Sequence, residues 1–245
     1  MPEGPSIVLL REECERFVGR RIVGVEGSSA QDLGRLERRT VRAVRSWGKH
    51  LLIDCGTLSV RVHFGLFGSW CIDAAKLRPP RLGLLFSRGH ALRMYACAAR
   101  LLDAPLDALY DWRVDVMAPQ WDPKLARAAL RARPDALAAD VLLDQDVFAG
   151  VGNIIKNEVL HRIRVHPESR VGALPPRKRA QLVRQAREYS FDFYRWKRDN
   201  VLRRHWQVHA KKTCPRDGAP LSYRKQLGRA QRRAFWCDRC QRLYA

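Results

Sequence analysis

Three separated groups of residues in this 245-residue chain have types and spacings that could do chemistry. The first is the start, MPEGPS. A proline at the second position permits removal of the initiator methionine, which leaves Pro2 as a secondary α-amine with the carboxylate of Glu3 beside it. Taken alone, such a terminus is as readily a frayed end. The second group is CPRDGAPLSYRKQLGRAQRRAFWCDRCQ, where Cys237-x2-Cys240 joins an upstream Cys214. A Cys-x2-Cys turn aims two thiolates at one tetrahedral ion, so a structural zinc, one per chain, is expected. Asp217 stands where a second Cys-x2-Cys pair would be completed. The fourth ligand is then the Asp217 carboxylate or His209, which has an H-x4-C spacing to Cys214. A redox Cys-x2-Cys is the rival, but that motif opens a helix in a strand–helix unit, and no such unit is read here. The third group is DQDVFAGVGNIIKNEVLHRI. Gly150 and Gly152 precede Asn153 at a helix start, where exposed N–H groups and the helix dipole favour an anion. Lys156 adds a cation one turn on, and Glu158 reads only as favouring the dipole.

Elements must hold these groups. From Ser6 to Val18, Ile7, Leu10, Cys14 and Phe17 recur at helical spacing, and Gly19 supplies a stop. The period then changes to two. RIVGVEG, TVRAVRSW, HLLIDCG, LSVRVHF, RLGLLFS and HALRMYAC read as antiparallel strands of a sandwich or barrel. Near residue 120 helical periodicity returns, with Asp122 as N-cap and Pro123 at the first helical position. The expected fold is therefore α+β. Residues 1–110 form a helix and β-sandwich, 111–121 a linker, 122–205 a helical module and 206–245 a small Cys-bearing hairpin.

Charge narrows the partner. The chain has 46 Lys and Arg against 25 Asp and Glu, a net +21. Residues 201–245 alone hold 12 basic and two acidic residues. Such an excess suits a polyanion, most often nucleic acid, and a basic finger is better suited to gripping phosphate than to catalysis. No apolar run reaches the eighteen or so residues of a membrane span, and early acids argue against a targeting peptide. Cys14, Cys55, Cys71 and Cys97 read as reduced, buried small hydrophobes.

Four stretches, in order, resemble the formamidopyrimidine-DNA glycosylase/endonuclease VIII family of base-excision repair: MPEGP, SWGKHLL, LLDQDVFAGVGNIIKNEVL and RRAFWCDRCQ. Gly4 looks more like the endonuclease VIII branch, since the formamidopyrimidine branch usually has leucine there. The resemblance implies an N-terminal helix on a β-sandwich, a helix–two-turns–helix domain and a C-terminal zinc-finger-like hairpin. It implies a bifunctional DNA glycosylase and AP lyase that removes oxidised bases, pyrimidines more than purines, and cleaves by β,δ-elimination. Pro2 would be the nucleophile, Glu3 the acid/base, and Lys49 a phosphate-binding catalytic cation. Asn153 and the finger arginine, Arg232 or its neighbour Arg233, would bind DNA, and Leu66 with Phe67 would fill the space left by an everted base. A buried Leu–Phe pair is the alternative for the last two. The implied partner is damaged double-stranded DNA, met by a monomer in the bacterial cytoplasm and nucleoid. The alternatives are a lyase acting mainly on abasic sites and a non-catalytic binder of DNA or RNA.

Four departures from the family's pattern bear on this. Ser6 replaces the usual glutamate, Gly65 replaces a larger void-filling residue, and Asp217 replaces a cysteine. The fourth is the spacing of 19 residues between Asp217 and Cys237, which is longer than usual.

Overall fold

The computed structural model describes residues 2–28 and 32–245. They gather into two compact units that divide between Asp111 and Trp112.

The first unit opens with α1 (Gly4–Cys14), whose buried stripe is Ile7, Leu10 and Cys14. Pro5 lies in the first turn, where a missing N–H costs no helical hydrogen bond. The helix ends earlier than its apolar spacing suggests: a tighter turn, Glu15–Phe17, carries the pattern on, and Gly19 at φ +81° redirects the chain. Six strands follow: β1 (Ile22–Glu26), β2 (Ala43–Trp47), β3 (His50–Asp54), β4 (Ser59–Ile72), β5 (Leu82–Phe86) and β6 (Ala91–Leu102). They form an antiparallel sheet in the order β1-β5-β6-β4-β3-β2. Its two edges meet. Gly19 N donates to Val41 O at 2.8 Å, Val41 N to Arg20 O at 3.0 Å, and Ile22 N to Arg39 O at 2.8 Å. One hydrophobic core draws on all six strands and α1, as a sheet folded over on itself requires. A short helix, α2 (Leu106–Leu109), closes the unit.

The second unit contains α3 (Pro123–Arg131), α4 (Ala138–Leu143), α5 (Asn153–Arg162) and α6 (Pro176–Arg198). Asp122 caps α3 as expected, its Oδ1 accepting from Lys124 N at 2.8 Å. The helical run expected through residue 145 yields only the six residues of α4. Beyond it the Gln145 side chain knits a loop, donating to Leu143 O and Val151 O and accepting from Gly150 N. That loop presents the start of α5. The hairpin of β7 (Ser222–Leu227) and β8 (Arg232–Trp236) inserts Leu227, Ala234 and Trp236 into the core shared with α3 to α6. The chain end returns to the helical part, where His166 N donates to Arg242 O and Arg170 N to Tyr244 O. The α+β class read from the sequence is the one observed. Among the described residues no helix is long and apolar enough to cross a membrane.

Candidate functional site

In the first unit, Glu3 is the N-cap residue of α1 and is 2% exposed, with Pro2 half-buried before it. The Glu3 carbonyl accepts from Ser6 N and Ile7 N, so the first helical turn fixes where the pair sits. Ser6, where the resembled family has glutamate, is itself buried. Helix α1 packs on β2 and β3, and the turn joining those strands carries Lys49. Trp47 pairs with His50, which leaves Gly48 and Lys49 as a two-residue turn. Gly48 has φ +55°, as the first central residue of a type II′ hairpin turn requires. The same packed pair of elements thus carries Pro2, Glu3 and Lys49.

Two histidines beside Lys49 had no role in the sequence reading. His50 and His63 face each other across β3 and β4, with rings 5.5 Å apart, and Trp47 and Tyr110 cover His50. Burial pushes the His50 pKa down to about 4, helped by Arg61, His63 and Lys49. Burial, then Lys49 and Arg61, lowers His63 as well. Both shifts favour the neutral ring beside Lys49.

Leu66 and Phe67 are not a buried core pair: they are 53% and 80% exposed. They lie where β4 bulges away from β6, between the paired residues Phe64 and Ser69. Gly68 permits the bulge, because a Cβ there would fall 2.6 Å from the Phe64 Cβ. Gly65 has open space around it by comparison, with Ala96 O at 3.7 Å. Two large apolar side chains are held in solvent by a local break in pairing.

In the second unit, Asn153 is the first residue of α5, after the N-cap Gly152. Arg232 and Arg233 begin β8, both exposed. Lys156 departs from expectation. It is fully buried, and its ammonium donates to Asn153 Oδ1 at 2.9 Å and to Arg233 O at 2.8 Å. A helical lysine reads as solvated from sequence; here β8 covers that face of α5. Glu158 is more than a dipole partner. It is fully buried and accepts from the backbone N–H groups of Gln207, Val208 and His209 at 2.9, 3.0 and 2.8 Å. Burial raises its pKa, and those three bonds oppose the rise.

Cys214, Asp217, Cys237 and Cys240 bring one ligand atom each to within 4.8 Å of one another. Tetrahedral bonds of about 2.3 Å to sulfur and about 2.0 Å to oxygen imply edges near 3.8 Å between sulfurs and near 3.5 Å between sulfur and oxygen. The observed Cys214–Cys240 Sγ separation is 3.8 Å, and Cys237 Sγ lies 3.3 and 3.6 Å from the two Asp217 oxygens. A disulfide would need sulfurs about 2.05 Å apart. The group has the dimensions of a tetrahedral metal site with one carboxylate oxygen. Asp217 Oδ1 also accepts from Ala219 N at 3.0 Å, which orients the carboxylate. The alternative ligand His209 lies elsewhere. Its Nδ1 is 3.0 Å from Asn157 Nδ2, and its ring packs against Trp206 and Phe235. His161 of α5 comes closer, with Nε2 at 3.6 Å from Cys214 Sγ. Arg216 donates to His161 O at 2.7 Å and to Cys240 Sγ at 3.6 Å, joining the metal group to the C-terminal end of α5.

Family models agree with this arrangement over both units. The formamidopyrimidine-DNA glycosylase N-terminal domain matches residues 1–97, and the formamidopyrimidine-DNA glycosylase H2TH domain matches residues 114–189. Endonuclease 8 2 of Mycobacterium bovis is 31% identical over 264 residues, covering 99% of this chain and 100% of that protein. This chain belongs to the formamidopyrimidine-DNA glycosylase/endonuclease VIII family. Another family member, the DNA-(apurinic or apyrimidinic site) lyase Nei2 of Mycolicibacterium smegmatis, is 31% identical over 258 residues, covering 98% of this chain and 99% of that protein. The fold recurs in the formamidopyrimidine-DNA glycosylase of Lactococcus lactis solved with DNA containing an AP site. The TM-score is 0.85 at 23% identity, over 98% of this chain and 99% of that one. A viral DNA glycosylase aligns with a TM-score of 0.85 at 20% identity, over 98% and 100%.

Proposed function

We propose that this family member is a bifunctional base-excision repair enzyme that removes oxidised bases, pyrimidines more than purines, and cleaves the strand through an imine on Pro2. DNA glycosylase with AP lyase activity is the coarse function its family membership supports. The observation that carries the finer reading is the buried Glu3 at the cap of α1, with Pro2 before it, on a helix packed against the Lys49 hairpin.

The chemistry rests on those side chains. An α-amine with a reference pKa of roughly 8 is about 10% neutral at pH 7, whereas lysine near 10.4 is far less so. The neutral Pro2 nitrogen attacks C1′, and the base leaves with the glycosidic electron pair and takes up the proton that the nitrogen sheds. Glu3 protonates the ring oxygen as the sugar opens. The resulting imine of a secondary amine is necessarily cationic, an electron sink that acidifies C2′. Loss of that proton expels the 3′ phosphate, and a second elimination expels the 5′ phosphate. Lys49 adds positive field at the adjacent phosphate. Asn153, Arg232 and Arg233 grip the DNA backbone, and Leu66 with Phe67 fills the vacated stack. Zinc is the ion the three cysteines and Asp217 suit best, since thiolates with one oxygen in a tetrahedron match its preferences. When bound it braces the hairpin, and the chain acts as a monomer on damaged duplex DNA in the nucleoid.

A second reading has specific support. Ser6 removes the carboxylate expected beside the nucleophile, Gly65 leaves the bulge open, and the Mycolicibacterium relative is named for lyase activity on apurinic or apyrimidinic sites. Turnover on abasic and damaged-base duplexes separates an abasic-site lyase from a full glycosylase. Borohydride reduction in the presence of a thymine-glycol or abasic duplex tests Pro2 itself. A covalent adduct is expected with the mature chain, much less with Pro2→Gly, and none when the initiator methionine is retained. An undiminished adduct in Pro2→Gly would remove Pro2 from the mechanism.

A further inference from the structure

We propose that Lys156 is a positioning residue that, anchored on the Arg233 carbonyl, sets the Asn153 amide from within the protein. The proposal rests on the reading that Asn153 holds a DNA phosphate.

Lysine is a donor only, with no acceptor to offer. Its contact with Asn153 at 2.9 Å therefore requires the oxygen of that amide, Oδ1, to face inward. The amide Nδ2 is then turned away from Lys156, as a donor at the first position of α5. There the free N–H groups and the helix dipole already favour an anion. A flipped amide would set its NH2 against the ammonium. Without Lys156, nothing in this contact would distinguish the two orientations, and a glycine-rich approach would present acceptor and donor to DNA about equally. The buried charge thus gives a neutral side chain a fixed polarity.

The same ammonium donates to Arg233 O at 2.8 Å, 77 residues further along the chain. Asn157 adds a second tie to β8, its Oδ1 accepting from Phe235 N at 3.4 Å. One buried cation therefore links the start of α5 to the strand that carries Arg232 and Arg233. Burying an ammonium is costly unless its hydrogen bonds are made, so a solvated helix lysine is a poor description of this residue. With 0% of its surface exposed, it cannot itself be a phosphate contact without rearrangement.

Salt dependence and a double-mutant cycle separate positioning from contact. Binding of the full chain to a duplex carrying a tetrahydrofuran abasic analogue is measured over a range of salt, with thermal unfolding in parallel. Asn153→Ala is expected to weaken binding about tenfold. Lys156→Met is expected to do the same in the parent but to cost less than twofold in the Asn153→Ala background. The slope of log affinity against log salt should not change, because the lost phosphate partner is neutral; a contacting lysine would lower it by about 0.9. Asn153→Asp keeps an acceptor for Lys156 and discards the outward donor. It should preserve the unfolding temperature and weaken binding more than Asn153→Ala, and it serves as the test if Lys156→Met does not fold. Additive losses, a slope change near 0.9, or Asn153→Asp binding like the parent while Asn153→Ala does not, would each overturn the positioning role. An Asn153→Ala variant that binds like the parent overturns the phosphate reading beneath it.

Discussion

Replacing Asp217 tests the proposed metal centre at its least conventional candidate ligand. The structure places its carboxylate 3.3 Å from Cys237 Sγ, with the three thiols completing a tetrahedral group. Structural zinc sites of four ligands bind with apparent free energies of about 10–16 kcal/mol. One ligand of four then accounts for roughly 2.5–4 kcal/mol, a hundredfold to thousandfold in affinity. Asp217→Ala should therefore surrender its metal to a competing chelator at concentrations at least a hundredfold lower than the parent requires. Asp217→Cys, which restores a fourth thiolate, should hold it at least as tightly as the parent. The hairpin shares its core with α3 to α6 through Leu227, Ala234 and Trp236, so metal loss should also lower the unfolding temperature of the second unit. His161 supplies the internal control. Its Nε2 is 3.6 Å from Cys214 Sγ, but the ligand atoms that lie mutually within 4.8 Å are those of Cys214, Asp217, Cys237 and Cys240, without it. His161→Gln should cost no more than about tenfold to a hundredfold, the range for residues that orient a ligand. The assay is chelator competition with spectroscopic detection of released metal on the full chain. Equal retention by Asp217→Ala and the parent would refute the carboxylate as a ligand. A His161→Gln loss larger than that of Asp217→Ala would place the histidine in the coordination sphere instead.

Two other predictions concern the first unit. Leu66→Ala with Phe67→Ala should leave folding stability within about 0.5 kcal/mol of the parent, because both side chains are solvent-exposed. The same pair should slow base removal from duplex DNA at least tenfold more than from a single strand, where no stacked void needs filling; an equal fall on both would remove the wedge role. Acid should destabilise this unit through His50, whose folded pKa lies near 4, below its unfolded value near 6.5. The sign is that of a depressed pKa: the contribution is present above pH 6.5 and is lost as pH falls toward 4. About 2 kcal/mol of it is lost by pH 5, and His63 adds to the loss in the same direction. Denaturant unfolding at pH 7.5 and pH 5 should show that interval shrink by about that amount in His50→Gln, and an unchanged interval would refute the buried neutral ring.

The parts of these candidate sites, one set in each unit, that are legible in the sequence are those whose chemistry is local. The Pro2–Glu3 pair, the glycine turn before Lys49, the glycines before Asn153 and the Cys-x2-Cys turn each require particular residues at short spacing. Helix and strand periods place them on the right kinds of element. The ends of those elements are less legible: α1 stops at Cys14 and α4 at Leu143, where turns and loop hydrogen bonds outcompete apolar spacing. The parts that are not legible depend on register and on distant strands. His50 faces His63 only because β3 and β4 pair in one of two alternating registers. His209 has the better spacing to Cys214, yet α5 delivers His161 to that sulfur from 53 residues upstream.

Lys156 is the sharpest case of that dependence. On α5 alone its side chain is a mobile surface charge one turn beyond Asn153, and its natural role is to touch phosphate. Once β8 closes over that face, the same charge must find acceptors within the protein, and those it finds include an Asn153 oxygen and an Arg233 carbonyl. The charge is then no longer available as a separate grip on DNA; it acts through the Asn153 amide it orders. On the proposed function the phosphate grip is shared between a helix start and a hairpin, and those elements have to stay in register while DNA pulls on both. A flexible surface lysine cannot do that. A buried one, hydrogen-bonded to each side, can, and Glu158 does the corresponding work a half-turn further along by holding the backbone of 207–209 against the same helix.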